Sequence, residues 1–356
     1  MTSTIRRSLT FFMLLAALHT GARAQLVPER VYYGKGRAIP MMVKVPEAPP
    51  AAAPATSTPA APDAPPPAPP PALPIEIQLL EPVTAKPLAR ASAMPGKVDL
   101  AALFPDLWQT AAPRLVFAQL VVGERKLGPP VVLQPMLTPV TASMDLRNPQ
   151  APQVVFPPAD KRERTHSGLR AYVDQDVLLT TDKGEIRLRL RPDAAPNTCW
   201  NFRELVAGGL YTDVLFHRVI ALDGNGKPFI IQTGDPTGTG NGGPGFHFNL
   251  EESTLKHDFG TVSMAREPRN PNANGSQFFI ALSREGARPL DGAYCAFAQT
   301  IDGANVIAAI AKTPVSGPDG KPLRAPRLLN AKLVDAPSYG DGPNPVKIAG
   351  EDKVER

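Results

Sequence analysis

Residues 216–235 read FHRVIALDGNGKPFIIQTGD. Arg218 stands there among Phe216, Val219, Ile220, Phe229, Ile230 and Ile231. A guanidinium is rarely fully buried unless it is paired. Arg218 therefore either points outward from a strand or sits at the edge of an apolar pocket. In the second position its chemistry would be electrostatic, because it is a permanently charged, rigid group with several donors. Other reactive side chains lack the company that chemistry requires. His217 is sent to the opposite face of the strand from Arg218 by alternation. His247 and His257 have no metal-ligand spacing and read as surface or structural histidines, so no metal and no cofactor is expected. The loop GTGNGGPG (238–245) lacks the Lys-Ser/Thr of a P-loop and is interrupted by Pro244. It reads instead as a turn with positive-φ positions. Cys199 and Cys295 are the only cysteines. Two small buried apolar side chains is the simpler reading, with a disulfide as the alternative.

The elements that must position these residues follow from periodicity. VLLTTDKGEIRLRL (177–190) places turn residues Asp182, Lys183 and Gly184 between two apolar arms. In the second arm Ile186, Leu188 and Leu190 alternate with Arg187, Arg189 and Arg191, which predicts a half-buried strand with a basic outer face. Pro196-Asn197-Thr198 leads into an amphipathic helix ending at Gly208-Gly209. Strands are expected at LFHRVI, PFIIQTGD, GTVSMA (260–265), SQFFIAL (276–282) and AYCAFAQTI (293–301), and a last helix at ANVIAAIAKT (304–313).

From about Val177 to Ala336 the chain resembles the cyclophilin family of peptidyl-prolyl isomerases. The resemblance rests on FHRVI (216–220), FIIQTGDPTGTGNGGPG (229–245), GTVSMAR (260–266), NGSQFFIALS (274–283) and LDGAYCAFAQTIDG (290–303), in family order and at near-family spacing. It implies a mainly β fold, a closed eight-stranded antiparallel barrel with two capping helices. It also implies that Arg218 is the catalytic arginine and Gln232 the polar group supporting it. By the same resemblance Phe229, Ile230, Phe279 and Leu290 form the proline pocket, with Ile230 where many members have Met. Ala265 and Arg266 match the strand that pairs with substrate backbone, Gln277 lines the groove, and Tyr294 stands where several members have His. Two departures are visible. ALDGNGKP (221–228) is longer than the usual family link, and Pro289 replaces a common aromatic, which bears on binding of the family's cyclic-peptide inhibitor rather than on turnover.

The rest of the chain reads differently. Arg6 and Arg7, the apolar run LTFFMLLAAL (9–18) and the A-x-A site at Ala22–Ala24 make a signal peptide (1–24) cleaved before Gln25. The run is too short for a membrane span, and no other stretch is long enough. Export to the periplasm or outside the cell is therefore expected, without stable membrane insertion. Residues 25–160 read as a small all-β domain, with a sandwich as the candidate architecture and no catalytic constellation. Within it the Pro/Ala segment 46–74 reads as a stiff polyproline-II-like spacer or loop. GKVDLAALFPDLW (96–108) reads as strand-like, and RLVFAQLVVGERKLGPPVVLQPM (114–136) as a hairpin turning near Gly123–Lys126. A polar linker (161–170), the isomerase-like domain (171–337) and a mobile tail (338–356) complete the organisation. The net charge of +5 comes with no basic stripe interleaved with aromatics, so nucleic acid is not an expected partner. Expected partners are proline-containing peptides and unfolded or folding proteins; the N-terminal domain's partner is not legible. The function these features point to is an exported prolyl isomerase assisting protein folding by a non-covalent mechanism. The alternative is a low-activity or inactive binding module for a Pro-containing partner, and a further idea is that the Pro/Ala segment occupies the chain's own groove.

Overall fold

The computed structural model describes residues 25–45, 73–150 and 152–347. The expected signal peptide, the Pro/Ala segment up to residue 72 and the last nine residues of the expected tail lie outside them. The chain forms two compact units.

The first unit comprises residues up to Leu133 together with Leu169–Val173 and Pro337–Gly340. It holds a three-stranded antiparallel sheet of Gln25–Pro28, Pro40–Lys44 and Gly96–Asp99, and a six-stranded sheet centred on Val116–Val122 and Arg125–Leu137. Alternation puts Leu26, Met41 and Val43 of the smaller sheet into one core with Ile77, Leu79, Leu120 and Val131 of the larger. Two all-β layers around a shared core are thus present, and the expected hairpin turns between Val122 and Arg125. GKVDLAALFPDLW departs from its expected strand after Asp99. The Asp99 carboxylate accepts from Ala101 N at 2.9 Å and caps a single helical turn, Leu100–Leu103. A second turn, Asp106–Gln109, follows Pro105.

The domain boundaries differ from those expected. Residues 134–168 belong to the second unit, so the first does not run unbroken to 160. The expected linker 161–170 ends inside a strand, His166–Val173, because Leu169 and Ala171 alternate into the first unit's core beyond the polar Lys161–Arg164 run. The expected tail is anchored at its start. Tyr339 stacks on Phe117 at 4.0 Å and donates its N–H to Gln119, and Ser338 donates to the Gly128 carbonyl.

The second unit contains the chemistry. Its elements are β1 (Gln175–Thr181), β2 (Gly184–Leu190), α1 (Pro196–Ala207), β3 (Val214–Leu215), β4 (Arg218–Leu222), β5 (Pro228–Thr233), β6 (Thr261–Met264), β7 (Phe278–Ala281), α2 (Arg284–Ala287), β8 (Ala296–Asp302), α3 (Ala304–Ala311) and β9 (Arg327–Asp335). The strands form one antiparallel sheet in the order β3-β9-β1-β2-β8-β6-β7-β5-β4. It has nine strands rather than eight, and among the described residues no ladder joins β3 to β4. Only Phe216 and His217 separate those two edge strands along the chain, so the sheet curls back toward itself. Inward residues of every layer fill the interior. Phe202 of α1 lies 4.9–5.2 Å from the rings of Tyr211, Phe278 and Phe297, and Val306, Ile307 and Ile310 bury the apolar face of α3.

Two local features refine the sequence reading. The basic outer face of β2 is partly neutralised, since Arg187 and Arg189 share the fully buried Asp176, and Arg191 pairs with Asp193 at 2.7 Å. Helix α1 has no side-chain cap of its own, so Glu251 supplies it, accepting from Asn197 N and Thr198 N at 3.2 and 2.9 Å. Cys199 and Cys295 are buried and free. Among the described residues no helix is long and apolar enough to cross a membrane.

Candidate active site

The register of three strands builds the site. Arg218 on β4 faces Gln232 on β5, and Gln232 faces Phe279 on β7. Strand alternation puts these three in one row on the outer face, while their neighbours Val219, Ile231, Phe278 and Ile280 point into the core. Ile230, two residues before Gln232, shares the row's face. Arg218 is half-buried and held at two points: its Nε donates to the Asp319 carbonyl and its Nη1 to Gln232 Oε1, both at 3.3 Å. Asp319 lies in a short hairpin, Val315–Ser316 with Lys321–Pro322. That hairpin docks on β4 through Val219 N and the Gly320 carbonyl at 2.7 Å. Among the described residues Nη2 has no protein acceptor, so part of the guanidinium remains available to a ligand.

The apolar part of this face is Phe279 with Ile230. Phe279 is 2% exposed and Ile230 4%. Tyr294 meets the Phe279 ring edge-on at 5.6 Å, and His257 stacks on the same ring at 5.8 Å. Leu290 is half-buried in the turn after α2, and its carbonyl accepts the N–H groups of Ala293 and Tyr294. Asp291 pins this segment. It accepts from His257 Nδ1 and N at 2.9 and 3.0 Å and from Arg284 Nη2 at 2.6 Å. Burial pushes the Asp291 carboxyl up, but the bonds from Arg284 and His257 outweigh it and hold the group well below the usual carboxylate range. Burial likewise drives His257 toward its neutral form, against the pull of Asp291. His257 is thus a structural histidine behind the pocket, and His247 is exposed at the rim of a neighbouring cavity.

That cavity, of about 260 Å³, opens on the other side of Gln232. Gln232, Gln277, Ala265 and Arg266 line it with the Gly240–Pro244 loop. The expected site residues therefore fall into two adjoining groups that share Gln232, with Arg218, Ile230 and Phe279 on one side and Ala265, Arg266 and Gln277 on the other. Gln277 Oε1 accepts from Gln232 Nε2 at 3.0 Å and ties the groups together. Phe229 is half-buried at the start of β5, one position out of phase with Ile230 and Gln232. The Arg266 side chain is committed to its own loop and to the facing 293–294 segment. It donates to the carbonyls of Ala293, Glu267 and Pro268 and lies over the Tyr294 ring at 4.6 Å. It acts as a clamp there, and Ala265 N is already bonded to the Gln277 carbonyl. The 221–228 insertion is a hairpin tip in which Asp223 Oδ1 accepts from Asn225 N and Lys227 N at 2.8 Å, with pairing running out to Leu222 and Pro228. Pro289 is exposed in the turn before Leu290.

Sequence reasoning missed three participants, Asp319, Asp235 and Asp291, while His257 is the structural histidine it read. Asp319 was signalled only by its turn, SGPDG (316–320). Asp235 stood in a run of turn residues, DPTGTG, of the kind an Asp side chain organises. His257 and Asp291 are 34 positions apart and gave no local signal. What the arrangement offers chemically is a fixed cationic donor on the same sheet face as the apolar Ile230 and Phe279 side chains, with no nucleophile or proton-transfer pair between them among the described residues.

Comparison with known proteins follows this geometry. The family model of cyclophilin-type peptidyl-prolyl cis-trans isomerases matches residues 176–333. A peptidyl-prolyl cis-trans isomerase-like 1 of Emericella nidulans is 37% identical over 168 residues, spanning 46% of this chain and 97% of its own. A human peptidyl-prolyl cis-trans isomerase-like 3 is 42% identical over 152 residues, spanning 41% of this chain and 88% of its own. A solved cyclophilin-type isomerase of Cryptosporidium parvum, crystallised in the presence of the dipeptide Ala-Pro, is 36% identical. It covers 45% of this chain and 99% of its own, with a TM-score of 0.41.

Proposed function

The chain belongs to the cyclophilin-type peptidyl-prolyl cis-trans isomerases, and from that premise we propose that Arg218 accelerates the isomerisation by stabilising the twisted prolyl amide. Rotation about an X–Pro bond has a barrier of roughly 18–20 kcal/mol because amide resonance must be broken. At the twisted geometry the proline nitrogen regains a lone pair. A group that donates to that nitrogen, and only weakly to the planar amide, lowers the barrier by differential binding. The observation that carries this reading is the two-point hold on Arg218. Asp319 and Gln232 fix the fork, and Nη2 is left without a protein acceptor on the sheet face that also carries Ile230 and Phe279. The substrate is a proline-containing segment whose ring lies against Phe279 and whose preceding residues run toward Gln277 and the cavity beyond.

The same proposal includes export and a role in folding secreted or envelope proteins. Cleavage after Ala24 leaves intact a first strand that begins at Gln25, in register with Lys44. The test is protease-coupled isomerisation of an Ala-Pro peptide by the full chain and by Arg218→Ala, together with N-terminal sequencing of the exported protein. Loss of turnover in the variant and an N-terminus at Gln25 are expected. Undiminished turnover in Arg218→Ala, or an uncleaved chain retained in the cytoplasm, would refute the corresponding part.

A further inference from the structure

The two glutamines of the site form a chain with one sense. Gln277 Nε2 donates to the carbonyls of Gly240 and Gly242, both at 2.9 Å. Its Oε1 must then point the other way, where it accepts from Gln232 Nε2 at 3.0 Å. Gln232 in turn presents Oε1 to Arg218. A carboxamide is nearly the same shape either way round, and only its partners decide which end is oxygen. If Gln277 turned over, its oxygen would meet two carbonyl oxygens. Gln232 would then present its amino group to the guanidinium, donor against donor. The acceptor on Arg218 is therefore decided at the glycine loop, two side chains away.

What holds that loop is Asp235, which is 0% exposed. Its Oδ1 accepts from Thr237 N and Thr237 Oγ1 at 2.7 and 2.8 Å. Its Oδ2 accepts from Gly240 N at 2.6 Å, Gly242 N at 3.1 Å and Thr239 Oγ1 at 3.3 Å. Hydrogen bonds to an ionised acceptor are the stronger kind. Burial pushes the carboxyl up, but the bonds from Thr237, Gly242 and Gly240 outweigh it and hold the group down at about 2. The loop closes so tightly on the carboxylate that a Cβ at Gly242 would stand 2.0 Å from Oδ1, so only glycine fits there.

We propose that Asp235 is a positioning residue for the isomerisation: by fixing the Gly240 and Gly242 carbonyls on Gln277, it sets the direction of both glutamine amides and so keeps an acceptor on Arg218. The proposal rests on the arginine reading above. Asp235→Asn is the direct probe. Whichever way the new amide lies, its amino group faces a backbone N–H, of Thr237 on one side or of Gly240 and Gly242 on the other.

The experiment measures kcat and KM on an Ala-Pro peptide for the full chain, Arg218→Ala, Asp235→Asn, Gln277→Ala and the double variant Asp235→Asn/Gln277→Ala. It also follows solvent exchange of the Gln277 side-chain amide by NMR. Asp235→Asn is expected to lower kcat about tenfold, as for one lost hydrogen bond at the transition state, with KM little changed. The Gln277 amide protons should exchange faster. Over Gln277→Ala the second change should cost less than about twofold, because the path is already cut. A merely structural Asp235 would give the same fractional loss in both backgrounds, and that result overturns the proposal, as does an unchanged kcat in Asp235→Asn. If that variant does not fold, Thr237→Val removes one donor and keeps the backbone bonds. A fall of about threefold is then expected in the wild-type background only, and an unchanged rate overturns the proposal. An inactive Arg218→Ala beside a full-rate Asp235→Asn removes only the relay, whereas a full-rate Arg218→Ala removes the arginine reading and the relay with it.

Discussion

Replacing Arg218 by Lys separates charge from geometry. Lysine keeps the positive charge but offers a compact ammonium on a flexible stem, without the planar fork. In the structure the fork is used at two edges, Nε on the Asp319 carbonyl and Nη1 on Gln232, and Nη2 is what remains for the substrate. One ammonium cannot reproduce that spread. Removing a preorganised donor at a developing charge costs about 10²–10³ in rate, or about 2.7–4 kcal/mol. Arg218 is half-buried rather than enclosed, so solvent weakens the interaction and the lower end applies. Arg218→Ala should therefore lose about a hundredfold in kcat/KM. Arg218→Lys should lose about tenfold, the equivalent of roughly 1.4 kcal/mol, because charge is retained and placement is not. KM should move little in either, since Ile230 and Phe279 remain. The assay is protease-coupled isomerisation at low temperature, checked by NMR exchange on a peptide with resolved cis and trans signals. A lysine variant as fast as the parent would show that the fork's geometry is irrelevant. An alanine variant as fast as the parent would remove the arginine from the mechanism.

Other outcomes follow from neighbouring groups. Phe279→Leu keeps an apolar floor but loses the ring contacts to Tyr294 and His257, so kcat/KM should fall about tenfold, mostly through KM; an unchanged KM would place the proline ring elsewhere. Glu251→Ala uncaps α1 and leaves Asn197 N and Thr198 N unpaired, which should cost about 2 kcal/mol and lower Tm of the second unit by about 4–8 °C in calorimetry. An unchanged Tm would mean water replaces the carboxylate without loss. Burial raises the Asp174 carboxyl to about 7. A carboxyl raised in the folded state stays protonated there while the unfolded chain ionises, so this group's contribution is complete below about pH 4 and is lost as pH rises toward 7. Asp174→Asn should therefore gain Tm over the parent increasingly from pH 5 to pH 8, and an equal gain at both values would exclude the titration.

The site was legible through the motifs that carry the family resemblance. Arg218 and Gln232, which the resemblance put together, are fourteen residues apart, and the register of β4 on β5 places them opposite one another. Phe279 and Gln277 were identified from a resemblance spread over several motifs, and in the structure Phe279 pairs with Gln232 across the strands while Gln277 bonds to its side chain. The second layer was not legible. Asp291 reaches His257 across a separation that no local pattern marks, and the Asp319 carbonyl is backbone, which carries no residue-type signal at all. Arg266 was assigned to the substrate-facing strand. Its side chain is drawn away by three loop carbonyls and the Tyr294 ring, contacts that exist only once the 264–268 and 290–294 segments meet.

The same division runs through the whole chain. Composition and periodicity by themselves indicated strands and two longer helices for the second unit and a turn rather than a phosphate cradle for its glycine loop; they left Arg218 either facing outward or at the edge of an apolar pocket, and the family resemblance chose between the two. The pattern-based readings are local consequences of alternation, turn chemistry and the cost of burying charge. Only the tertiary structure decided where the units divide, because the strand His166–Val173 and the Ser338–Tyr339 anchor return to the first unit after long excursions. It also decided that the charge of Arg187 and Arg189 is partly compensated, since the carboxylate they share, Asp176, lies on the adjacent strand. Above all it decided which way the amides of Gln232 and Gln277 face. That direction depends on backbone carbonyls held by a buried aspartate, and a carboxamide's sequence letter is the same in both orientations.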